Sequence, residues 1–232
     1  MNYRLILSLA FLINISLSQS FLTPFTSLPM GEEVIVETSG GEIITGTIKS
    51  GLLSGARIIT LTIKDEEGEK HKFKAKTGEM IRVKIKLGDI ARMMLAASAL
   101  GGTIQSMQNT DFDEMQKREY AIFERALQPK KKDKYQMMQL LNPGWDNAIK
   151  VYQDPKAKKS MAVGGVIGGV VKSYLVVKNG NKSFKLKKSK YKKEFSNLFG
   201  DCNQMIEEFG AEKIKWDYFA KHVFSYNEAC GK

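Results

Sequence analysis

Short runs of alternating apolar and polar residues, separated by Gly- and Asp-containing turns, fill residues 31–86. In the run ARIITLTIK, Ile59, Leu61 and Ile63 share one face, because successive side chains of a β-strand point to opposite sides. The runs EEVIVET, KHKFKAK and MIRVKIK repeat this period of two, which is typical of half-buried antiparallel strands. About five such strands predict a small antiparallel β-barrel of the SH3-like or Sm-like kind within residues 21–88.

The pattern changes twice beyond the predicted barrel. Residues 89–118 begin with a run rich in Ala, Met and Leu that ends at Gly101-Gly102, and they predict a helical connector. Residues 119–188 return to strand-like runs bounded by prolines, with Asn179-Gly180 as the turn of a hairpin. A second antiparallel sheet is therefore expected after the connector.

The C-terminal end is predicted to be helical. An apolar stripe recurs at i, i+4, i+7 and i+8, and its members are Tyr191, Phe195, Leu198 and Phe199. The pair Gly200-Asp201 is typical of a helix stop followed by the N-cap of the next helix. We therefore expect an α+β protein in which residues 119–232 form the second sheet and a bundle of about three helices.

The first twenty residues have the pattern of a secretory signal peptide. Arg4 precedes an apolar run, and the small residues Ser18 and Ser20 have the spacing that signal peptidase requires. A membrane anchor is the alternative, but a span needs about 20 apolar residues and this shorter run contains Asn14. We expect cleavage after Ser20, with Ser18 as the second choice. The mature chain would begin near Phe21, contain no transmembrane segment, and be periplasmic or extracellular.

Export decides how the only two cysteines, Cys202 and Cys230, are interpreted. An even pair in an oxidising compartment predicts a disulfide, and two buried free thiols are the alternative. A nucleophile set of Cys202, His222 and Asp217 is disfavoured because a disulfide would consume the thiol. His71 and His222 lie far apart and have no cysteine or carboxylate at a ligand spacing such as HExxH. No metal site and no cofactor is therefore predicted.

The net charge of +11 is concentrated in one stretch of the chain. Residues 130–193 hold 17 lysines, no arginine and three acidic residues, a net charge of +14. Such a stretch indicates either a polyanion partner or the solvated side of amphipathic elements. The candidate anion-contact residues are Lys172, Lys182, Lys185, Lys187, Lys188, Lys190, Lys192 and Lys193. Nucleic acid is disfavoured as the partner because residues 130–193 contain no arginine, and because an exported protein meets few nucleic acids. An anionic envelope polymer or lipopolysaccharide is more accessible.

Two segments, LLNPGWDNAIKVYQDPKAKKS and KSYLVVKNGNKSFKLKKSKYKKEFSNLFGDC, resemble a family of exported proteins of unknown function from Gram-negative bacteria. The matching residues are Ile149 to Pro155, Lys172 to Gly180 and Leu198 to Cys202, and residues 109–124 are also similar. The likeness covers about half of the chain. It implies an envelope or secreted location and a shared fold, and it transfers no catalytic residue.

The chain contains no motif that names a reaction. The glycine-rich run MAVGGVIGGVV, residues 161–171, lacks the Gly-Lys-Ser order of a phosphate-binding loop and is interpreted as a loop entering a strand. The first functional hypothesis is an exported, non-enzymatic interaction or structural module, either envelope-associated or secreted. The alternatives are an electrostatic binder of anionic glycan, lipopolysaccharide or membrane surface through residues 130–193, and a hydrolase with an unrecognised site.

Overall fold

The computed structural model describes residues 20–89, 91–93, 118–127, 135–157, 171–180 and 182–231. Nearly all of the predicted leader, most of the helical connector, residues 128–134 and most of the glycine-rich run lie outside these residues. The strands are β1 (Glu33–Thr38), β2 (Ile43–Leu53), β3 (Arg57–Lys64), β4 (Lys70–Lys74), β5 (Met80–Lys86), β6 (Tyr120–Leu127), β7 (Tyr135–Gln139), β8 (Ile149–Gln153), β9 (Ser173–Lys178) and β10 (Phe184–Lys187). The α-helices with assigned bounds are α1 (Tyr191–Phe199), α2 (Asn203–Glu208) and α3 (Phe219–Cys230). The architecture is α+β, as predicted.

Six antiparallel strands close into a barrel in the order β2-β1-β5-β6-β7-β3, and β3 pairs back to β2. β3 pairs with β7 through Arg57 and Ile58, and with β4 through residues 60–64. The predicted barrel is confirmed, but its strand membership was partly wrong, because β6 and β7 come from the region assigned to the second sheet. Without them the outer edges of β5 and β3 would keep unpaired backbone groups, which a closed barrel removes. The finer SH3-like or Sm-like type stays a prediction.

One β-bulge in β3 and one in β5 shift the buried face of these strands. Leu52 pairs with Thr60 but Leu53 pairs with Ile58, so Ile59 is the extra residue and Ile58 takes the buried position. Thr38 likewise pairs with Met80 while Glu37 pairs with Arg82, so Met80 rather than Ile81 is buried. A bulge opposes two residues to one and interrupts the alternation of faces. Strict alternation through Ile59, Leu61 and Ile63 therefore gives the wrong buried residue in β3, and alternation through Ile81, Val83 and Ile85 does the same in β5.

Strands β8, β9 and β10 form a separate three-stranded antiparallel sheet. The predicted hairpin between β9 and β10 is confirmed, with positive φ angles of 52° at Asn179 and 70° at Gly180. The sheet continues the barrel at one point, where the Leu141 N–H donates to the Val151 carbonyl at 2.8 Å. Together with the bridge between Leu140 and Tyr152, this hydrogen bond joins the second sheet to the end of β7.

The second sheet is the middle layer of three. On one face Tyr152, Leu175 and Val177 pack against barrel residues that include Met138 and Leu140. The opposite face packs against the C-terminal helices in a cluster that includes Val151, Val176, Leu186, Phe195, Phe219 and Val223. Strands β8 and β9 are buried on both faces because each face is covered, whereas the edge strand β10 keeps Lys185 and Lys187 exposed to solvent.

The predicted helix stripe is confirmed, since Tyr191, Phe195, Leu198 and Phe199 are all buried on α1. The helix also stops at Gly200 as predicted, although Gly200 has a right-handed φ of −71°. The predicted N-cap was wrong, because Cys202 rather than Asp201 is the N-cap of α2. The Asp201 carboxylate instead accepts hydrogen bonds from Lys178 and Tyr226, both in other elements. Because the Asp201 carboxylate is bonded to these two residues, it does not cap α2.

The segment that follows the predicted cleavage site is docked in the core. The Leu22 N–H donates to the Leu141 carbonyl at 2.8 Å, and the Phe25 N–H donates to the Gln139 side-chain oxygen at 2.8 Å. Phe25 and Leu22 belong to the barrel core, whereas Phe21 lies among the aromatic rings of the helix layer. Residues 21–28 therefore tie the two cores together.

Candidate functional site

All eight candidate lysines are exposed. On β10, Lys185 and Lys187 lie opposite the buried Leu186, and on α1, Lys192 and Lys193 follow the buried Tyr191. The lysines thus occupy the polar side of elements whose apolar side enters the core. This placement is what a solvated surface requires. An anion-binding role requires, in addition, that several of the lysines lie close together.

Backbone pairing brings part of the set together. The Lys188 N–H donates to the Lys172 carbonyl at 2.9 Å, and Lys187 pairs directly with Ser173. Lys190, Lys192 and Lys193 follow along the 3-10 turn and the first turn of α1. We call these six residues the lysine ridge, and its members are Lys172, Lys187, Lys188, Lys190, Lys192 and Lys193. Lys182 precedes β10 at its other end and lies outside the ridge.

Lys185 is neutralised by a buried carboxylate. Its Nζ lies 2.5 Å from Oδ2 of Asp154, whose side chain is only 5% exposed. Ser173 Oγ donates to the same oxygen at 2.6 Å, and the Lys156 N–H donates to Oδ1 at 2.9 Å. Burial alone would raise the pKa of Asp154, but the hydrogen bonds from Lys185 and Ser173 hold that pKa below its usual value. Lys185 therefore has a structural role at the edge of the second sheet.

Charge pairing also distinguishes the members of the ridge. Lys188 lies 3.9 Å from Asp217, at the limit of an ion pair between two exposed groups. Within the part of the chain that the structure describes, the other five ridge lysines make no ion pair. The ridge is thus a surface of largely uncompensated positive charge.

A second polar cluster joins the barrel to the middle sheet. Oε2 of Glu124, on β6, accepts hydrogen bonds from Lys150 Nζ at 2.8 Å and Tyr152 Oη at 3.1 Å, both on β8. Arg82 of β5 lies 3.6 Å from the other oxygen. Burial raises the pKa of Tyr152 and nearby Glu124 adds to this effect, so its hydroxyl remains a donor. These contacts join the barrel to the middle sheet. The Glu124 carboxylate is paired with two cationic side chains, Lys150 and Arg82.

His222 is fully buried among aromatic rings of the helix layer. Its Nδ1 contacts the Tyr191 hydroxyl, which burial keeps protonated by raising its pKa. The hydroxyl and Nδ1 share a hydrogen bond, and which of them donates is set by the ring nitrogen that carries the proton. Burial lowers the pKa of His222 to about 4, and nearby Lys221 adds to the effect. His222 lies on α3.

Cys202 and Cys230 form a disulfide, with 6.0 Å between their Cα atoms. It connects the N-cap of α2 to the end of α3. Closing a loop of this length stabilises a fold by about 3.5 kcal/mol in the chain-entropy model. The nucleophile set of Cys202, His222 and Asp217 is not assembled, because the sulfur is bonded and Asp217 is on the surface near Lys188.

A further cluster was missed by the sequence analysis. The side chains of Asp65, Glu69 and His71 converge at the turn between β3 and β4, with one ligand atom of each within 4.8 Å of the others. His71 Nε2 lies 2.6 Å from Oδ2 of Asp65. A search for HExxH spacing does not find this set, because its residues meet across a hairpin turn rather than on one helix face. The available signal was the spacing of Glu69 and His71, which are two residues apart and so lie on the same side of an extended chain.

No helix among the described residues combines the length and the apolar character needed to cross a bilayer. The fold and its surface define a protein with a six-stranded barrel, a second sheet and a disulfide-linked helix layer, with one exposed lysine ridge and one carboxylate–histidine turn. No protein-family model, curated protein or solved structure matches this chain.

Proposed function

We propose that the protein is exported and acts outside the cytosol as a non-enzymatic interaction or structural module of the cell envelope. The observation that carries this proposal is the disulfide between Cys202 and Cys230. Disulfides of this structural kind persist in oxidising compartments and are rare in the cytosol. The signal-peptide pattern of the first twenty residues leads to the same location independently.

The docked N-terminal segment supports a mature chain that begins at Phe21. The ring of Phe21 stacks on Trp145 at 5.7 Å between centroids and meets the edge of Phe219 at 5.3 Å. A cut after Ser20 leaves this ring on the first residue, while a leader that stayed attached would have to exit from the same aromatic cluster. Cleavage after Ser20 would therefore leave the packing of the Phe21 ring intact.

Two buried amides, Asn142 and Asn227, support a module without catalysis, because their hydrogen bonds go to the backbone. Asn227 receives the N–H groups of Ala148 and Ile149 on its oxygen and donates to the carbonyls of Trp145 and Ile149. Asn142 receives the Val151 N–H and donates to the carbonyls of Trp145 and Ile149. Both amides organise the loop before β8 and are not available to a substrate.

Export is tested by expressing the full chain, with its own leader, in a Gram-negative host and measuring intact mass in each cell fraction. We expect periplasmic or secreted material that begins at Phe21 and is two hydrogens lighter than the reduced chain. The Cys230→Ser variant is the control, since it should lack that difference. Cytosolic protein with its leader intact, or with both thiols alkylated after native purification, would overturn the proposal.

Electrostatic binding of an anionic polymer is the second candidate function. The five ridge lysines without an ion pair favour it, because uncompensated charges attract polyanions and release their counterions. This candidate requires affinity that falls with salt. If binding does not weaken with salt, the five lysines serve only to keep the protein soluble.

Retention on heparin and on immobilised lipopolysaccharide, measured over a series of salt concentrations, tests the second candidate. The Lys190→Gln/Lys192→Gln/Lys193→Gln variant should elute at lower salt, with the slope of log affinity against log salt reduced by about one for each contacting lysine. The control Lys72→Gln/Lys74→Gln/Lys76→Gln removes the same charge from exposed barrel positions and should elute close to the original protein. Equal shifts in both variants would reduce the effect to net charge and reject the ridge as a site.

A further inference from the structure

We propose that the turn between β3 and β4 is a binding site for a divalent transition-metal ion, with Asp65, Glu69 and His71 as its protein ligands. The inference concerns the barrel and does not depend on the proposed function. Its basis is the convergence of one imidazole nitrogen and two carboxylates, with the ligand atoms within 4.8 Å of one another.

Backbone hydrogen bonds build the turn so that Asp65 is held in place. The Asp65 N–H donates to the Glu69 carbonyl at 3.1 Å, and the Gly68 N–H donates to the Asp65 carbonyl at 3.2 Å. The Glu69 N–H donates to Oδ1 of Asp65 at 2.8 Å, which leaves Oδ2 directed at His71. Gly68 has a φ of +90°, which glycine adopts readily and which lets the chain reverse here. Asp65 and His71 are thus fixed by the hairpin itself.

The distances require only a small adjustment to accept an ion. Oδ2 of Asp65 and Nε2 of His71 are 2.6 Å apart, a hydrogen bond in which the two atoms share a proton. Tetrahedral ligands at zinc-like bond lengths are separated by about 3.3 Å. The ion would replace the shared proton, so this pair must separate by about 0.7 Å while Glu69 moves closer. The Glu69 side chain is exposed and can rotate without disturbing the core.

The local charge favours a cation, although the protein as a whole is basic. Residues 64–71 contain four acidic residues and two lysines, a net charge of −2 with His71 neutral. Glu42, in the turn between β1 and β2, is close enough to act electrostatically on His71. The turn is therefore locally acidic, and in the sequence it lies far from the lysine-rich residues 130–193.

The donor set indicates which ions fit. Imidazole nitrogen with carboxylate oxygen suits Zn²⁺ and its neighbours in the transition series, whereas Mg²⁺ prefers oxygen ligands and water. Three protein ligands leave a fourth position for water. His222, the other histidine, is fully buried and cannot contribute to a surface site.

The test is calorimetric titration of Zn²⁺ into the mature, tag-free protein with its disulfide formed. We expect one site per chain, and at least a tenfold loss of affinity in His71→Gln and in Asp65→Asn. Glu67→Gln is the matched control: it removes one acidic charge from the same turn without removing a ligand, and should change affinity less than threefold. Circular dichroism establishes that each variant is folded before titration.

Titration with Mg²⁺ and an NMR spectrum of the imidazole groups complete the test. We expect Mg²⁺ to bind at least tenfold more weakly than Zn²⁺, and Zn²⁺ to shift the ring resonances of His71 while leaving those of His222 in place. Unchanged Zn²⁺ affinity in folded His71→Gln, equal losses in all three variants, absence of saturable binding, or Zn²⁺ and Mg²⁺ affinities within threefold would each overturn the assignment.

Discussion

His222 shows how burial sets the chemistry of one residue. Its side chain is fully buried, its Nδ1 is hydrogen-bonded to the Tyr191 hydroxyl, and burial lowers its pKa to about 4. In the unfolded chain the same imidazole has a pKa of about 6.5. The unfolded state therefore binds more protons than the folded state between these two values. Stability must fall as the pH is lowered through this window.

We predict that His222 lowers the free energy of unfolding by about 3 kcal/mol between pH 6.5 and pH 4. Below pH 4 both states are protonated, so this group causes no further loss. Urea denaturation from pH 4 to pH 7 measures the effect. His222→Gln should be less stable at pH 7 but should lose this part of the pH dependence. An unchanged pH profile in that variant would contradict the assigned burial.

His71 provides a control with the opposite sign. The hydrogen bond that the His71 imidazole donates to the Asp65 carboxylate raises the pKa of His71 above its ordinary value, and both side chains are partly exposed to solvent. Its contribution to stability is fully present below pH 6.5 and is lost as the pH rises through the raised folded pKa. His71→Gln should therefore alter stability at mildly acidic pH without reproducing the loss caused by His222.

At the scale of elements, the β9–β10 hairpin shows a local signal that survives in the tertiary structure. The turn needs positive φ at both Asn179 and Gly180, and these residue types supply it. The barrel strands show the reverse, because the bulges at Ile59 and Ile81 depend on neighbouring strands. Turn chemistry is local and readable, whereas a bulge is decided by how two strands pair.

Gly180→Ala should lower the free energy of unfolding by about 1 kcal/mol. An added Cβ meets nothing within 4 Å, so the cost comes from the φ of +70° alone. Gly210→Ala is the matched control: the site is equally open, but its φ of −60° suits any residue. That variant should be neutral or more stable by about 0.5 kcal/mol. Chemical denaturation of both variants distinguishes backbone strain from general sensitivity, and equal effects would contradict this explanation.

At the scale of the whole molecule, three layers depend on one segment near the N-terminus. Phe21 packs with the helix layer, while Phe25 packs in the barrel beside Phe123 at 6.5 Å between ring centroids. Gln139 fixes the segment from both sides, receiving the Phe25 N–H and donating to the Thr23 carbonyl. We expect barrel and helix layer to unfold as one cooperative unit.

Phe25→Ala should cost about 3–5 kcal/mol, because its ring is 2% exposed and the cavity left behind has no other filler. Leu52→Ala, at a side chain that is 56% exposed, should change stability by less than about 0.5 kcal/mol. Tryptophan fluorescence and far-ultraviolet circular dichroism, followed together during urea denaturation, should give coincident transitions in both variants. A loss below about 1 kcal/mol for Phe25→Ala would mean that the segment is not docked.

Local patterns were enough to predict the existence of the barrel, the hairpin at Asn179-Gly180, the buried stripe of α1 and the pairing of Cys202 with Cys230. Periodicity, positive-φ residues and an even cysteine count act over short distances or leave few choices. The closure of the barrel by β6 and β7, the burial of Asp154 against Lys185, and the meeting of Asp65 with His71 required the tertiary structure. They depend on which strand edges pair and which side chains share a desolvated space, and neither is encoded by spacing along the chain.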